Sequence, residues 1–546
     1  MMTKVVPVLI AGGGPVGMTL ALNLARYGIR SIVCERNEQT TRHPKRDLTN
    51  GRSMELYRRL GLTEKLRDAG VPRENAFDIS WVTNLAGHEL HRFQYPSAND
   101  ATAIIAQEND GHHAREAGLR VSQVMIEPVL KKAIDGNPLV EVRFGTRFER
   151  IIDQNEKSVT VEIVEEATGE PTSVSCAFLA GCDGGGSRVR RELGIELSGN
   201  MAAAGAHMVH FRTQDKALLQ RWGATWHLQN ATGTIIAQND DDIYTLQAWL
   251  IPGLDIDKKA PAAILEEWVG KPFDYEILQS NPWTANFVVA ERYRAGRVIL
   301  AGDSAHQFIP TGGYGMNSGI ADAAGLSWVL AALIDGWGGN RLLDAYEEER
   351  RRTAWWHLEA SQRHMNVRME IGALYEAAGK LQGDDPTVEA RRGALAQNIE
   401  RIGNAENQSW GVELGYRYDG SPVIAAESEL PPIDPLTYTP STIPGARLPH
   451  VFLEDGVSVH DVLGLWFSLV IVNDADSGPI ERAAGDLGIP LAVVRLHRPD
   501  LLPIYERNLL LVRPDQHVAW RGDELPSDPH AILALVTGRG VDQRRN

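Results

Sequence analysis

The spacing of hydrophobic positions changes several times along this chain, and each change marks an element. Residues 5–11 (Val-Val-Pro-Val-Leu-Ile-Ala) are apolar without alternation and end on glycines. That is the pattern of a strand buried on both faces of a parallel sheet. Residues 15–28 carry helical spacing closed by Gly28, and Ser31-Ile-Val-Cys-Glu35 reads as a second strand, so the chain opens as a βαβ unit. From about Leu139 to Ala180 the period drops to two. Val142-Arg-Phe144, Phe148 to Ile152 and Val159 to Val164 predict antiparallel strands, and Ala177 to Ala180 predicts an apolar strand running into Gly181-Cys-Asp-Gly184. The stretch 203–290 is again strand-rich, through Met208 to Arg212 and Tyr244 to Leu250. A strand from Arg297 to Ala301 meets a second glycine cluster, and helices are predicted over about Ile320 to Ile334 and Leu342 to Gly379. Pro422, Pro431, Pro432, Pro435, Pro440, Pro444 and Pro449 then crowd a boundary. Beyond it, strands at Phe467 to Val472, Leu491 to Leu496 and Leu509 to Pro514 predict a small α/β module.

Composition narrows the function classes. The formal charge of -16 over 546 residues leaves no basic footprint for nucleic acid or for an anionic membrane. Cys34, Cys176 and Cys182 form no CxxC pair, which fits a reducing cytoplasm and no disulfide framework. The apolar run Val5 to Ala25 has the place of a signal peptide, but Gly12, Gly13, Gly14, Pro15 and Gly17 break its middle. No metal-ligand spacing stands out.

Gly12-Gly-Gly14-Pro15-Val16-Gly17 is a GxGxxG. Gly12 allows the tight turn, Gly14 lets backbone approach a pyrophosphate, and Gly17 lets helix and strand pack. The helix N-terminus offers free N–H groups to phosphate. Glu35 closes the next strand 23 positions later (35 − 12), where an acid accepts from a ribose. The motif alone fits NAD or FAD. A second cluster decides: a strand ends at Gly302-Asp303, a turn holds Gly312, Gly313 and Gly315, and a helix is predicted to start near Asn317. Asp303 is placed for ribityl hydroxyls, and the helix N-terminus for a ring carbonyl or phosphate. An extended FAD, contacted at both ends, uses both clusters.

These residues resemble a known family. Asp303-x-Ala305-His306, Pro310 and Gly312-Gly313-x-Gly315-Met316-Asn317 are similar to the second FAD motif of the class A flavoprotein monooxygenases, the family of p-hydroxybenzoate and phenol hydroxylases. Gly181-Cys182-Asp183-Gly184, with Ser187, Val189 and Arg190, resembles the family's middle motif. Arg120 and Gln123 resemble its flavin-contacting pair, and Pro444 to His450 with Leu511 to Trp520 resembles the thioredoxin-like C-terminal domain of the phenol hydroxylase branch. Pro44-Lys45-Arg46 departs from the usual Pro-Arg-Ala, which leaves open which basic side chain reaches the flavin; Arg36 and Arg46 are the cofactor candidates from this region.

The resemblance implies an α/β fold with an α+β substrate layer. A discontinuous Rossmann-like FAD-binding domain spans 1–190 and 283–380; a substrate-binding mixed sheet spans 191–282 with part of 75–110. A helical connection covers 381–430 and a thioredoxin-like domain 431–546. It implies a single-component monooxygenase that uses NADPH or NADH and O2 to hydroxylate a small aromatic substrate through a flavin C4a-hydroperoxide. Epoxidation, Baeyer–Villiger insertion or polyketide tailoring on the same fold is the alternative. Pro310, His306 and Asp183 stand nearest the chemistry in the family, His306 and Asp183 each with a structural reading beside the functional one. A homodimer is compatible with the C-terminal domain. Substrate candidates are His210, Trp226, His227, Tyr244, Gln247, Trp249 and Trp283. Alternation sets Tyr244, Leu246, Ala248 and Leu250 on one face and Thr245, Gln247 and Trp249 on the other, and the first face is the more apolar.

Overall fold

The computed structural model describes residues 5–44, 47–251, 255–403, 405–454 and 456–540. Three sheets organise the chain. In the first, the strand Val6–Ala11 lies between Ser31–Glu35 and Pro171–Gly181, parallel to both. Val298–Leu300 extends the parallel set beyond Pro171–Gly181. Val8, Leu9, Ile10 and Ala11 are all buried, as expected of a central strand with helices on its faces. Val140–Phe144 corrects an expectation: it pairs parallel with Ser31–Glu35 as an outer strand, rather than antiparallel. Its alternation comes from its edge position, where one face is solvated. The hairpin Thr146–Gln154 and Val159–Glu165 is antiparallel and joins the first half of Pro171–Gly181.

The second sheet has eight strands and carries the substrate layer. Leu197–Arg212 pairs antiparallel with both Ile243–Trp249 and Glu276–Ala290. His227–Asn230 and Gly233–Ala237 follow, and then Ile79–Val82 and Glu89–Phe93 from far upstream. The boundary expected at residue 283 falls inside the strand Glu276–Ala290. That strand runs without interruption into the core around the first sheet, to which Phe287, Val289 and Ala290 already belong.

The helices Tyr314–Ile334 and Arg341–Ala378 run on from the second glycine cluster. Tyr314–Ile334 is long and apolar enough to cross a membrane, but 83% of its apolar window is buried. Its start at Tyr314, not Asn317, follows from Gly313, which caps it in the left-handed region at φ 69°. The connection contains the helices Pro386–Ile402 and Trp410–Leu414. The third sheet orders its strands as Leu491–Arg495, Phe467–Ile471, Leu509–Val512 and Val518–Gly522, the first pair parallel and the rest antiparallel. With helices Gly478–Leu487 and Pro529–Val536, this is the thioredoxin-like βαβ plus ββα arrangement.

The C-terminal unit is welded to the rest. Phe467 packs edge-on against Trp328, with ring centroids 5.9 Å apart. Arg447 donates two hydrogen bonds to Glu55, both side chains 1% exposed. Burial alone would raise the Glu55 pKa, but Arg447, His460 and Arg52 outweigh it and hold the carboxyl far below the usual range.

Candidate active site

A cleft of about 530 Å³ opens at the C-terminal ends of the parallel strands, within the ~300–1,000 Å³ usual for small-molecule sites. It is lined by Gly12, Gly14, Pro15, Val16, Glu35, Arg36, Gln123, Asp183, Asp303 and Met316, so both glycine clusters and the middle motif meet here. Each glycine of the first turn has its own reason. Gly12 sits at φ 111°, and a Cβ there would lie 2.2 Å from the Cys182 carbonyl oxygen. A Cβ on Gly17 would lie 2.0 Å from the Gly12 oxygen. A Cβ on Gly14 meets nothing within 4 Å. The turn is therefore packed tight behind and open in front.

Two helix N-termini face this region without help from any side chain. Gly14 begins Pro15–Arg26 and Gly313 begins Tyr314–Ile334, neither with a side-chain cap or an acid in the first turn. Their unpaired N–H groups and positive dipole ends suit phosphate and polarised carbonyls. Glu35 accepts from the Gly13 N–H at 2.9 Å and from Asn37, which fixes its carboxylate at the rim. An open cradle, two anion-binding helix ends and a fixed acid at the far side fit the pyrophosphate, ring and ribose of FAD.

Buried polar contacts hold the motifs to one another. Asp183 accepts from Ser187 Oγ and from the Arg188 and Val189 N–H groups, capping the short helix Arg188–Glu192. Its carboxylate is thereby occupied in shaping the middle turn. Arg190, readable from sequence as a solvated helix charge, is 7% exposed and donates to the Ser304 and Gly185 carbonyls, joining the middle motif to the second glycine cluster. The Pro310 carbonyl accepts from the Gly313 N–H at 2.9 Å and closes that turn. Asn317 accepts from the Asn50 N–H and donates to the Leu48 and Gly313 carbonyls. Gly315 lies in the first turn of the helix.

Other expected contacts go elsewhere. His306 is fully buried, its Nε2 2.8 Å from Asp322 and its ring stacked on Phe308 at 4.8 Å. It supports the turn from beneath instead of opening onto the cleft. Arg120 does not line the cleft: it forms a bidentate pair with Asp240, 2% and 3% exposed, and donates to the Ala76 and Ala237 carbonyls. It ties the cofactor domain to the substrate sheet, because a fully buried guanidinium needs a carboxylate and Asp240 supplies one. Lys45 and Arg46 lie outside the described residues.

The two faces of the substrate sheet are now distinguishable. Tyr244, Leu246 and Ala248 pack with Phe211, Leu265 and Trp268 in a separate core under the helix Pro261–Val269. Tyr244 is therefore packing, not a substrate contact. The opposite face looks toward the cofactor domain, whose core Trp249 and Trp283 pack against. Register places His210 beside Thr245 and Gln279, and Gln247 beside Met208 and Thr234. His210 Nδ1 lies 2.9 Å from Thr245 Oγ1, and burial pushes its pKa down to about 4. Trp283 donates to Gln247 Oε1 at 2.7 Å.

At one end of this face stands a residue that the sequence did not single out. Asp47 Oδ2 accepts from Trp226 Nε1 at 2.7 Å and lies 3.4 Å from His227 Nε2. Burial raises its pKa, but hydrogen bonds from His227 and Trp226 and the charge of Arg120 prevail and leave it lowered. At the other end Arg368 donates to Glu406 at 2.7 Å and to Thr234 at 3.0 Å, over the Trp81 ring. No local signal marks Asp47, Arg368 or Glu406 in the sequence, since each meets its partner only through the tertiary fold.

Comparison with known proteins agrees with this geometry. Residues 5–361 match the family described as FAD binding domain, and residues 441–539 match the aromatic-ring hydroxylase C-terminal family. The FAD-dependent monooxygenase apdD of Emericella nidulans is 37% identical, over 98% of this chain and 90% of that protein. Phenol 2-monooxygenase of a Pseudomonas species is 28% identical, over 96% and 91%. The crystal structure of a ternary complex of aklavinone-11 hydroxylase with FAD and aklavinone superposes with a TM-score of 0.81 at 27% identity, covering 99% of this chain and all of that one. The chain belongs to the FAD-dependent monooxygenases of the aromatic-ring hydroxylase family.

Proposed function

We propose that this protein is a single-component hydroxylase that uses NADPH or NADH and O2 to hydroxylate a phenolic ring held against the flavin-facing side of the substrate sheet. The observation that carries the reading is the Asp47–His227 pair on that face. Among the described residues the substrate sheet carries one other carboxylate–imidazole pair, His306–Asp322, and that one is 0% exposed, whereas His227 and Asp47 are 13% and 21% exposed. Bound in the cleft, FAD supplies acceptance of hydride from the nicotinamide and the activation of O2.

The protein's own residues do the rest. Asp47, held ionised, orients His227 so that the imidazole can take the phenol proton and make the ring electron-rich. Trp226, beside His227 with ring centroids 4.1 Å apart, fixes the imidazole plane. Gln247 and Trp283 offer a polar and an aromatic contact along the same face, and Arg368 with Glu406 offers polar contacts at its far end. Among the described residues one glycine turn of the dinucleotide type follows a strand, so the nicotinamide is expected to visit the mouth of the cleft and leave. The chemistry suits a reducing cytoplasm, where the buried thiols Cys34 and Cys176 stay free.

The experiment is a screen of phenols, phenolic acids and fused-ring phenols for stimulated NAD(P)H consumption, with product mass measured. A gain of one oxygen matched to NAD(P)H consumed, with NMR of the product placing it as a new hydroxyl on the intact ring, supports the reading. A product with oxygen inserted into a ring C–C bond refutes hydroxylation in favour of Baeyer–Villiger chemistry.

A further inference from the structure

The C-terminal domain has no CxxC pair and contributes nothing to the lining of the cofactor cleft. Yet a continuous line of buried charge runs from it to the second glycine cluster. Arg513, on the turn between the strands Leu509–Val512 and Val518–Gly522, donates to both oxygens of Glu349 at 2.6 and 2.8 Å and pairs with Asp515. Its guanidinium lies 5.2 Å from the rings of both Trp328 and Tyr418. Tyr418 packs on His517 with ring centroids 4.3 Å apart, and its hydroxyl accepts from Arg350 at 3.1 Å. Arg350 follows Glu349 on the helix Arg341–Ala378 and donates through Nε to Asp322 at 2.6 Å. The second oxygen of Asp322 accepts from the Gly302 N–H at 2.9 Å and lies 2.8 Å from His306 Nε2. Gly302 immediately precedes Asp303, which lines the cleft.

Every charged member of this line is at least 95% buried. Such an array is an inefficient stabiliser, because desolvation cancels most of the Coulomb gain. What it does well is fix position, since each member has two or three partners with defined directions. The Gly302 N–H donates to the Asp322 side chain at the point where the chain turns through φ 64° to present Asp303.

We propose that the C-terminal domain sets the geometry of the second cofactor motif. Arg513 and Tyr418 are positioning residues that act through Arg350 to hold Asp322, and Asp322 holds Gly302 and His306 where Asp303 can meet FAD. The proposal rests on the reading of the cleft as the FAD site, which FAD binding by the unmodified protein tests separately.

The structure supplies a matched pair for the test. Tyr418→Phe removes the hydroxyl that Arg350 uses. Tyr416→Phe removes a neighbouring buried hydroxyl that has no hydrogen-bond partner among the described residues. FAD is stripped from each variant, its dissociation constant is measured by flavin fluorescence, and the unfolding of the FAD-free protein is followed in urea. Tyr418→Phe should weaken FAD binding about tenfold, as loss of a hydrogen bond to a charged group allows, while Tyr416→Phe binds as the unmodified protein does. Arg513→Met, if it folds, should weaken FAD binding at least as much. If Tyr418→Phe lowers only the stability of the FAD-free protein and binds FAD unchanged, the line is a structural staple and the proposal is overturned.

Discussion

Two alanine substitutions two residues apart should separate packing from binding in the first glycine turn. Gly14 has φ −76° and ψ −176°, an extended conformation any residue adopts, with open space where a Cβ would stand. Gly14→Ala should gain about 0.4–1 kcal/mol from a stiffer unfolded chain. It should lose a similar amount because alanine is a poorer helix N-cap than glycine. The FAD-free protein is therefore expected within about 0.5 kcal/mol of the original. The added methyl nevertheless enters the cradle, so FAD affinity should fall by about a hundredfold or more, about 2.7 kcal/mol. Gly12→Ala is different, because its φ of 111° and the Cys182 oxygen 2.2 Å from the new Cβ force the backbone apart. It should destabilise the FAD-free protein by about 3 kcal/mol or more, the sum of a strained dihedral and a displaced turn. Urea unfolding of the stripped proteins and fluorescence titration with FAD measure both quantities. Undiminished FAD binding by Gly14→Ala would refute the assignment of this turn to the pyrophosphate.

Breaking the buried pair across the C-terminal interface with Arg447→Met should cost about 3–5 kcal/mol in urea unfolding, since Glu55 keeps its charge with one partner fewer. The Glu55 carboxyl is depressed in the fold, so the stability it contributes is present above its unfolded pKa of about 4.3 and is lost as pH falls below that; a gap between the unmodified protein and Glu55→Gln that fails to narrow below pH 4 contradicts this. Asp47→Asn should lower kcat on a phenolic substrate by about 10²–10⁴ with FAD affinity unchanged, the range for disabling general-base catalysis, here by leaving the base His227 unoriented, and an unaltered kcat removes the dyad from the mechanism. His210, with its pKa pushed down to about 4, is neutral throughout the working range, so His210→Gln should leave the shape of the pH–rate profile between pH 5 and 8 as it was.

What the sequence disclosed and what it hid divide along a physical line. Gly12 and Gly17 are legible because a tightly packed turn admits no Cβ at either, and that requirement lies within six residues; Gly14, with open space in front of it, is legible as the open position of the same motif. The parallel strands are legible because burial on both faces leaves unbroken apolar runs such as Val8 to Ala11. The partner of Arg120 was not legible because a buried guanidinium goes wherever a carboxylate awaits it, and Asp240 is 120 positions away. Resemblance gave the residue but not its partner. The strand Val140–Phe144 was misassigned as antiparallel because an edge strand alternates whichever direction its neighbour runs. Asp47 gave no signal at all, since its partners lie 179 and 180 positions away, Trp226 just before the strand His227–Asn230 and His227 at its start.

The same division explains how one cofactor frame can serve different substrates. The residues that line the cleft sit at strand ends and helix starts, where backbone geometry dictates them. The residues on the sheet face turned toward the first domain, among them His210, Thr245, Gln247, Thr234 and His227, are alternate positions, each replaceable without moving the strand that carries it. Their opposite face is a closed core of its own around Phe211, Tyr244 and Trp268, which keeps the strands in register whatever the first face displays. Substrate choice can therefore change by substitution on one face, while Asp322, Arg350 and Arg513 keep the cofactor turn fixed from the other side of the molecule.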